Sequence, residues 1–119
     1  MDGMEQLKLL MNYTIFHLGV YTTLGAALVA LIGSGHAANM QIELLITLAC
    51  LVLAGICGGL VAASIPYSLS LTDFNKSRIG FWGFAFMPAW LCMNLEHIFF
   101  WLGVISTLSG LLRGVLRAT

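Results

Sequence analysis

Long apolar runs separated by short polar segments dominate this chain. Residues 9–32 and 42–65 are mostly apolar, and a third apolar stretch extends over residues 79–112. About 18 consecutive, mostly apolar residues are enough for a helix to cross a lipid bilayer. The pattern therefore predicts an all-α integral membrane protein, with one transmembrane helical domain that covers residues 1–119.

The composition supports a membrane environment. Hydrophobic residues make up 60% of the chain and charged residues only 8%, whereas soluble domains carry roughly 25% charged residues. The formal net charge is zero, so no basic field is available to attract a nucleic acid. We expect the lipid bilayer to be the surrounding medium and expect no nucleic-acid partner.

The third apolar stretch is too long for one span. A single helix over residues 79–112 would be about 51 Å long, compared with a hydrocarbon core of about 30 Å. One solution is a short third helix over 79–93, a turn at 94–96 and a fourth helix over 97–116. The alternative is three spans, with residues 79–93 in a re-entrant or interfacial helix.

The placement of positive charges favours four spans, because cytoplasmic loops carry an excess of Lys and Arg. Four spans bring all five cations to one side, and three spans divide them three against two; the five are Lys8, Lys76, Arg78, Arg113 and Arg117. We therefore predict helices over about 9–32, 41–65, 79–93 and 97–116. Both termini are then expected to be cytoplasmic, in the cell (inner) membrane.

Small residues in the second predicted helix form two adjacent columns with a spacing of four. The first column is Ala54, Gly58 and Ala62, and the second is Gly55, Gly59 and Ala63. Such columns let helix backbones approach closely in lipid. We expect one column to pack against a helix of the same chain, and the other to receive a further helix or an adjacent subunit.

Two polar stripes have the spacing of a helix face. The first helix carries Tyr13, His17 and Tyr21, and the last helix carries Ser106, Gly110 and Arg113. Each stripe is a candidate pore lining. The stripe of the last helix fits a helix-packing seam equally well.

Acidic and imidazole side chains suggest further candidate sites. With four spans, Glu43 and Glu96 lie on the outer side and would attract cations at a pore mouth. His17 and His97 would then lie at different depths, whereas three spans bring them to one side, where bis-histidine haem ligation becomes conceivable. We expect no metal site and no cofactor, and we interpret the three cysteines as small buried side chains.

The sequence offers little support for an enzyme. It contains no H-E-x-x-H motif, no Gly-rich phosphate loop and no recognisable spacing of Ser or Cys with His. The expected function is a small homo-oligomeric channel or pore whose helices pack through Gly/Ala faces. The alternative is a non-catalytic accessory or anchor subunit that associates with larger membrane subunits.

Overall fold

The computed structural model describes residues 3–81 and 84–118, which form a helical bundle with one small hairpin. In chain order, the elements are α1 (Gly3–Ser34), α2 (Gln41–Ser64), α3 (Leu71–Lys76), β1 (Arg78–Phe81), β2 (Phe84–Pro88) and α4 (Ala89–Ala118). Short 3-10 helices at Ala38–Met40 and Ile65–Tyr67 flank α2. Among the described residues, three helices are long and apolar enough to span a membrane: α1, α2 with its flanking turns, and α4. The prediction of a helical membrane protein is confirmed at this level.

The first two spans form an antiparallel hairpin, as their short connection predicts. Gly35 follows α1 with φ of 74°, a left-handed conformation that glycine adopts without strain. Its backbone N–H donates to the carbonyl of Ile32, which closes the last turn of α1.

The predicted helix over residues 79–93 is wrong, because strands β1 and β2 occupy most of that segment. They pair antiparallel, with Ile79 opposite Met87 and Arg78 opposite Pro88. Aromatic residues favour extended backbone, and proline is disfavoured inside a helix. Residues 82 and 83, which the predicted helix also covers, lie outside the described residues.

Helix α4 begins directly after Pro88, so the fourth helix starts eight residues earlier than residue 97, where we predicted it. The backbone N–H of Ala89 donates to the carbonyl of Ser77 over 2.9 Å, which fixes the start of α4 beside the end of α3. Residues 94–96, where a turn was predicted, lie inside α4. The three-span alternative therefore describes the long helices better than the four-span prediction.

Helix α2 packs against both α1 and α4. The larger part of the buried core lies at the end of the bundle where α3 and the hairpin are found, and there Phe74 and Cys92 are fully buried. Ser70 caps α3, since its hydroxyl accepts a hydrogen bond from the backbone N–H of Asp73. A second core region, formed around Tyr21, Leu51 and Ala54, lies farther along the bundle.

The two ends of the bundle are chemically distinct. At one end Gly3 lies against Ser70, and Lys8 lies near Pro66; we call this the Lys8 end. At the other end the Arg113 guanidinium donates to the backbone carbonyl of Asn39; we call this the Arg113 end. Helix α1 begins at the Lys8 end and α4 ends at the Arg113 end, whereas two cytoplasmic termini require an even number of spans.

Candidate functional site

A glutamate is buried inside the bundle. The side chain of Glu96 is 3% exposed, and the Tyr21 hydroxyl donates to its Oε1 over 2.9 Å. Helix α4 contributes the carboxylate and α1 contributes the hydrogen-bond donor. The four-span prediction puts Glu96 at an outer pore mouth together with Glu43, whereas in the structure Glu96 lies between α4, α1 and α2.

Helix α2 makes room for this carboxylate through a glycine. A Cβ added at Gly58 would lie 3.3 Å from Cδ of Glu96 and 3.1 Å from Cδ2 of Leu18. Both distances are short for contacts of a Cβ atom, so the missing side chain of Gly58 is part of the site.

Rings connect the buried carboxylate with the surface. The ring of His17 lies 4.0 Å from that of Tyr13 and 6.1 Å from that of His97, and Tyr13 is 47% exposed. Nδ1 of His17 is 2.8 Å from the backbone carbonyl of Tyr13. We call these five residues the polar cluster: Tyr13, His17, Tyr21, Glu96 and His97. The predicted stripe on α1 is therefore one side of a site that α4 completes.

The carboxylate of the polar cluster lies away from the ends of the helices that surround it. Glu96 is about 10 Å along α4 from Ala89, and Gly58 is about 9 Å from the end of α2. The half-thickness of a hydrocarbon core is about 15 Å. If the hydrocarbon core begins at the ends of α2 and α4 on this side, Glu96 lies within it, and acids at such positions mark ion or proton pathways in many membrane proteins.

Two cysteines border the polar cluster near α2. The Cys92 thiol donates to the backbone carbonyl of Cys57 over 3.3 Å, and both side chains are buried. Among the described residues, no group of three or more His, Cys, Asp or Glu side chains is placed so that it could hold a metal ion. The rings of His17 and His97 do come together, as the three-span alternative allowed, at an interplanar angle of 80°.

The stripe on the last helix, Ser106, Gly110 and Arg113, packs against α2 within the same chain. The Ser106 hydroxyl donates to the carbonyl of Glu43 over 3.1 Å, and Arg113 forms an ion pair with Glu43. A Cβ added at Gly110 would lie 3.0 Å from Cε of Met40. Of the two interpretations of this stripe, the contacts within the chain are those of a packing seam, and Glu43 belongs to it at the Arg113 end.

An apolar gap separates this seam from the polar cluster. Thr47 donates to the carbonyl of Gly103 over 3.1 Å and lies 2.9 Å from the Thr107 hydroxyl. Between these threonines and Tyr21 is a cavity of about 230 Å³ whose lining includes Leu51 and Phe100. The ring of Phe100 lies 5.6 Å from that of Tyr21, so the two polar regions approach each other across apolar side chains.

The two columns of small residues on α2 have different surroundings. Ala54 and Gly58 of the first column are buried, and Ala62 is half-buried. In the second column, a Cβ added at Gly55 or Gly59 would meet no other described atom within 4 Å, and Ala63 is exposed. Gly55 also lines an open groove of about 670 Å³ between α1 and α2. The second column is therefore available to a further helix.

The position of Glu96 inside the bundle can be recognised from the spacing of residues along α4. Glu96 precedes Gly103 by seven residues, so it continues the face of α4 that carries Ser106 and Gly110. The assumed turn at residues 94–96 concealed this continuity. The chain matches no protein-family model, no curated protein and no solved structure, so the function is argued from its own residues.

Proposed function

We propose that the protein is a small homo-oligomeric channel of the cell (inner) membrane, with helices packed through Gly/Ala faces. The observation that supports a channel most strongly is the burial of Glu96, with its hydrogen bond from Tyr21, inside apolar spans. Placing a carboxylate at this depth is costly. Ion pathways are the usual setting in which membrane proteins retain such a group.

The polar cluster extends from this carboxylate to the surface of the bundle. Tyr13 is half exposed, and the ring contacts continue from it through His17 to Tyr21, whose hydroxyl reaches Glu96. Tyr21 supplies a hydrogen bond to this acid. The acid also lies at the inner end of a row of polar rings, which a hydrogen bond alone would not require. The arrangement supports an entry path from the Lys8 end.

The second column on α2 supports assembly with copies of the same chain. Gly55, Gly59 and Ala63 offer a surface to which another backbone can approach closely, and such contacts drive helix association in lipid. Helix α1 adds to this surface, because only 6% of its most apolar window is buried within the chain. A second copy placed here covers Gly/Ala faces that the described part of one chain leaves open.

We propose that the bundle is oriented with its Lys8 end in the cytoplasm. Lys8, Lys76 and Arg78 belong to that end, compared with Arg113 and Arg117 at the other. The excess is small, and it follows the rule that cytoplasmic segments are richer in Lys and Arg.

Reconstitution tests the channel. Purified protein in liposomes should give fluxes of protons, alkali cations or chloride above those of protein-free vesicles, and extraction in mild detergent should give a particle made of several identical chains. Absence of flux of all three kinds of ion, over a range of voltage and pH, would overturn the proposal.

An accessory or anchor subunit of a larger membrane complex is the second candidate function. The large exposed apolar surface of α1 favours it, because larger membrane subunits would cover that surface as well as copies of the same chain would. Mild extraction from native membranes separates the two candidates. Different proteins that co-purify in fixed ratio support the accessory role, and a particle of identical chains supports the channel.

A further inference from the structure

We infer that the ion handled at the polar cluster is the proton, and that Glu96 is the group that carries it inside the bilayer. This inference rests on the proposed channel function and assigns its ion. It concerns a path through each protomer, since Glu96 of α4 contacts α1 and α2 of the same chain.

The packing around Glu96 favours protons over hydrated ions. The carboxylate is 3% exposed. Gly58 and Leu18 lie against each other beside it, and on the side that faces α1 the Tyr21 hydroxyl donates a hydrogen bond to it. A metal cation or a chloride ion needs several ligands or its own water shell at such a position. A proton needs no such shell, because it moves from one hydrogen-bonded group to the next.

The titratable side chains near Glu96 come from all three long helices. Helix α1 contributes His17 and Tyr21, α2 contributes Cys57, and α4 contributes Cys92 and His97. Imidazole is the side chain that most readily takes up and releases protons at physiological pH. His17 and His97, with rings 6.1 Å apart, lie between half-exposed Tyr13 and the buried acid.

The transfer step conserves atoms and charge. A hydronium ion at the Lys8 end protonates an imidazole of the cluster and leaves water. The imidazolium N–H bond then breaks, a bridging water passes the proton on, an O–H bond forms on the Glu96 carboxylate, and a neutral imidazole, a water and a neutral carboxyl group remain. The Tyr21 hydroxyl keeps the carboxyl oriented through its hydrogen bond to Oε1.

Release towards the Arg113 end crosses the apolar gap. The cavity beside Phe100 and Leu51 has a volume of about 230 Å³, and a water molecule takes about 30 Å³ of liquid volume. The space is large enough for several waters, but an apolar space of this kind stays dry at rest, so passage of a proton from Glu96 to Thr47 and Thr107 requires transient entry of water. Because the lining near Phe100 is apolar, this gap is the barrier along the path.

Glu96→Gln tests the assignment in the full-length protein. The amide has nearly the same size as the carboxyl, and its oxygen still accepts from Tyr21, but it takes up no proton at physiological pH. We expect acid-driven proton flux into liposomes to fall to the level of protein-free vesicles. Glu5→Gln, which makes the same change near the N-terminus of α1, is expected to keep the wild-type flux.

Infrared difference spectroscopy on the same two variants gives a readout that is independent of transport. The wild-type protein and Glu5→Gln should show the C=O band of a protonated carboxyl group that changes with pH, and Glu96→Gln should lack this band. Equal unfolding temperatures in detergent would show that Glu96→Gln folds like the wild type.

The outcomes distinguish this inference from the channel proposal. Potassium or chloride flux in the wild type, without proton flux that depends on Glu96, overturns the proton assignment and leaves the channel standing. Absence of flux of all ions, together with a titrating Glu96 band, overturns the channel and leaves the protonation site. Wild-type proton flux in Glu96→Gln, or an unchanged band, overturns the role of Glu96.

Discussion

Glu96 and Gly58 show how a single residue pair shapes the centre of this molecule. A carboxylate inside apolar spans requires a hydrogen-bond donor and enough space, and α1 and α2 supply one each: the Tyr21 hydroxyl and the missing side chain of Gly58. Leaving a buried acceptor without its donor costs more than one ordinary hydrogen bond contributes. The two neighbours of Glu96 are thus as important to the site as the acid itself.

Tyr21→Phe measures the hydrogen bond directly. The variant keeps the ring that packs 5.6 Å from Phe100 and removes the hydroxyl that donates to Glu96. We expect a loss of about 1–2 kcal/mol in the free energy of unfolding, measured by denaturation in detergent micelles.

Tyr13→Phe is the matched control, because the same hydroxyl is lost from a residue that is 47% exposed. Its effect on stability should be below about 0.5 kcal/mol. If the two variants lose equal stability, the Tyr21–Glu96 hydrogen bond contributes nothing specific.

At the scale of elements, the long helices were predictable and the segment between α2 and α4 was not. Apolar length alone identified α1 and α2 with boundaries close to those observed for α2. The residues after Arg78 are as apolar as a span, and nothing in their hydropathy separates a helix from the strands β1 and β2. Counting positive charges then favoured a fourth span, although three against two is also compatible with insertion.

The boundary error also explains the error at the site. A turn at residues 94–96 would put Glu96 at a membrane surface, whereas a helix that starts at Ala89 carries it inside the bundle. The stripe on α1 and the small columns on α2 were recognised from spacing alone. Their partners depend on how α4 is placed beside them, and no local pattern of the chain specifies that placement.

Gly58→Leu and Gly59→Leu separate folding from assembly at the level of helix α2. A side chain at Gly58 would clash with Leu18 and Glu96, whereas one at Gly59 would meet no described atom within 4 Å. We expect Gly58→Leu to lower the stability of the chain by about 1–3 kcal/mol or more, as overpacking does.

The neighbouring variant, Gly59→Leu, should leave the unfolding of the chain unchanged and reduce the size of the extracted particle. Detergent denaturation and light-scattering mass give the two readouts for both proteins. If Gly59→Leu leaves the particle size unchanged, the second column is not an assembly surface; if Gly58→Leu is as stable as the wild type, the contact with Glu96 is not tight.

For the whole molecule, the important feature is the division of polar groups into two levels. The polar cluster lies towards the Lys8 end, the seam of Thr47, Ser106 and Arg113 lies towards the other end, and the cavity beside Phe100 separates them. Each level also joins helices through hydrogen bonds. The order of two polar levels on either side of an apolar gap is the one that the proposed proton path requires.

The three-span arrangement predicts which loops face the same side of the membrane. Ser34, at the end of α1, and Ser68, before α3, belong to opposite ends of the bundle, so Ser34→Cys and Ser68→Cys should react with a membrane-impermeant maleimide from opposite sides. Cys57 and Cys92 are buried and Cys50 lies within α2, so the wild-type chain serves as the unlabelled control.

With the Lys8 end in the cytoplasm, intact cells should label Ser34→Cys, and inside-out vesicles should label Ser68→Cys. Labelling of both positions from one side would contradict a membrane-spanning α2, which three and four spans both require, and the reversed pattern would invert the orientation, so that protons reach Glu96 from the outer face.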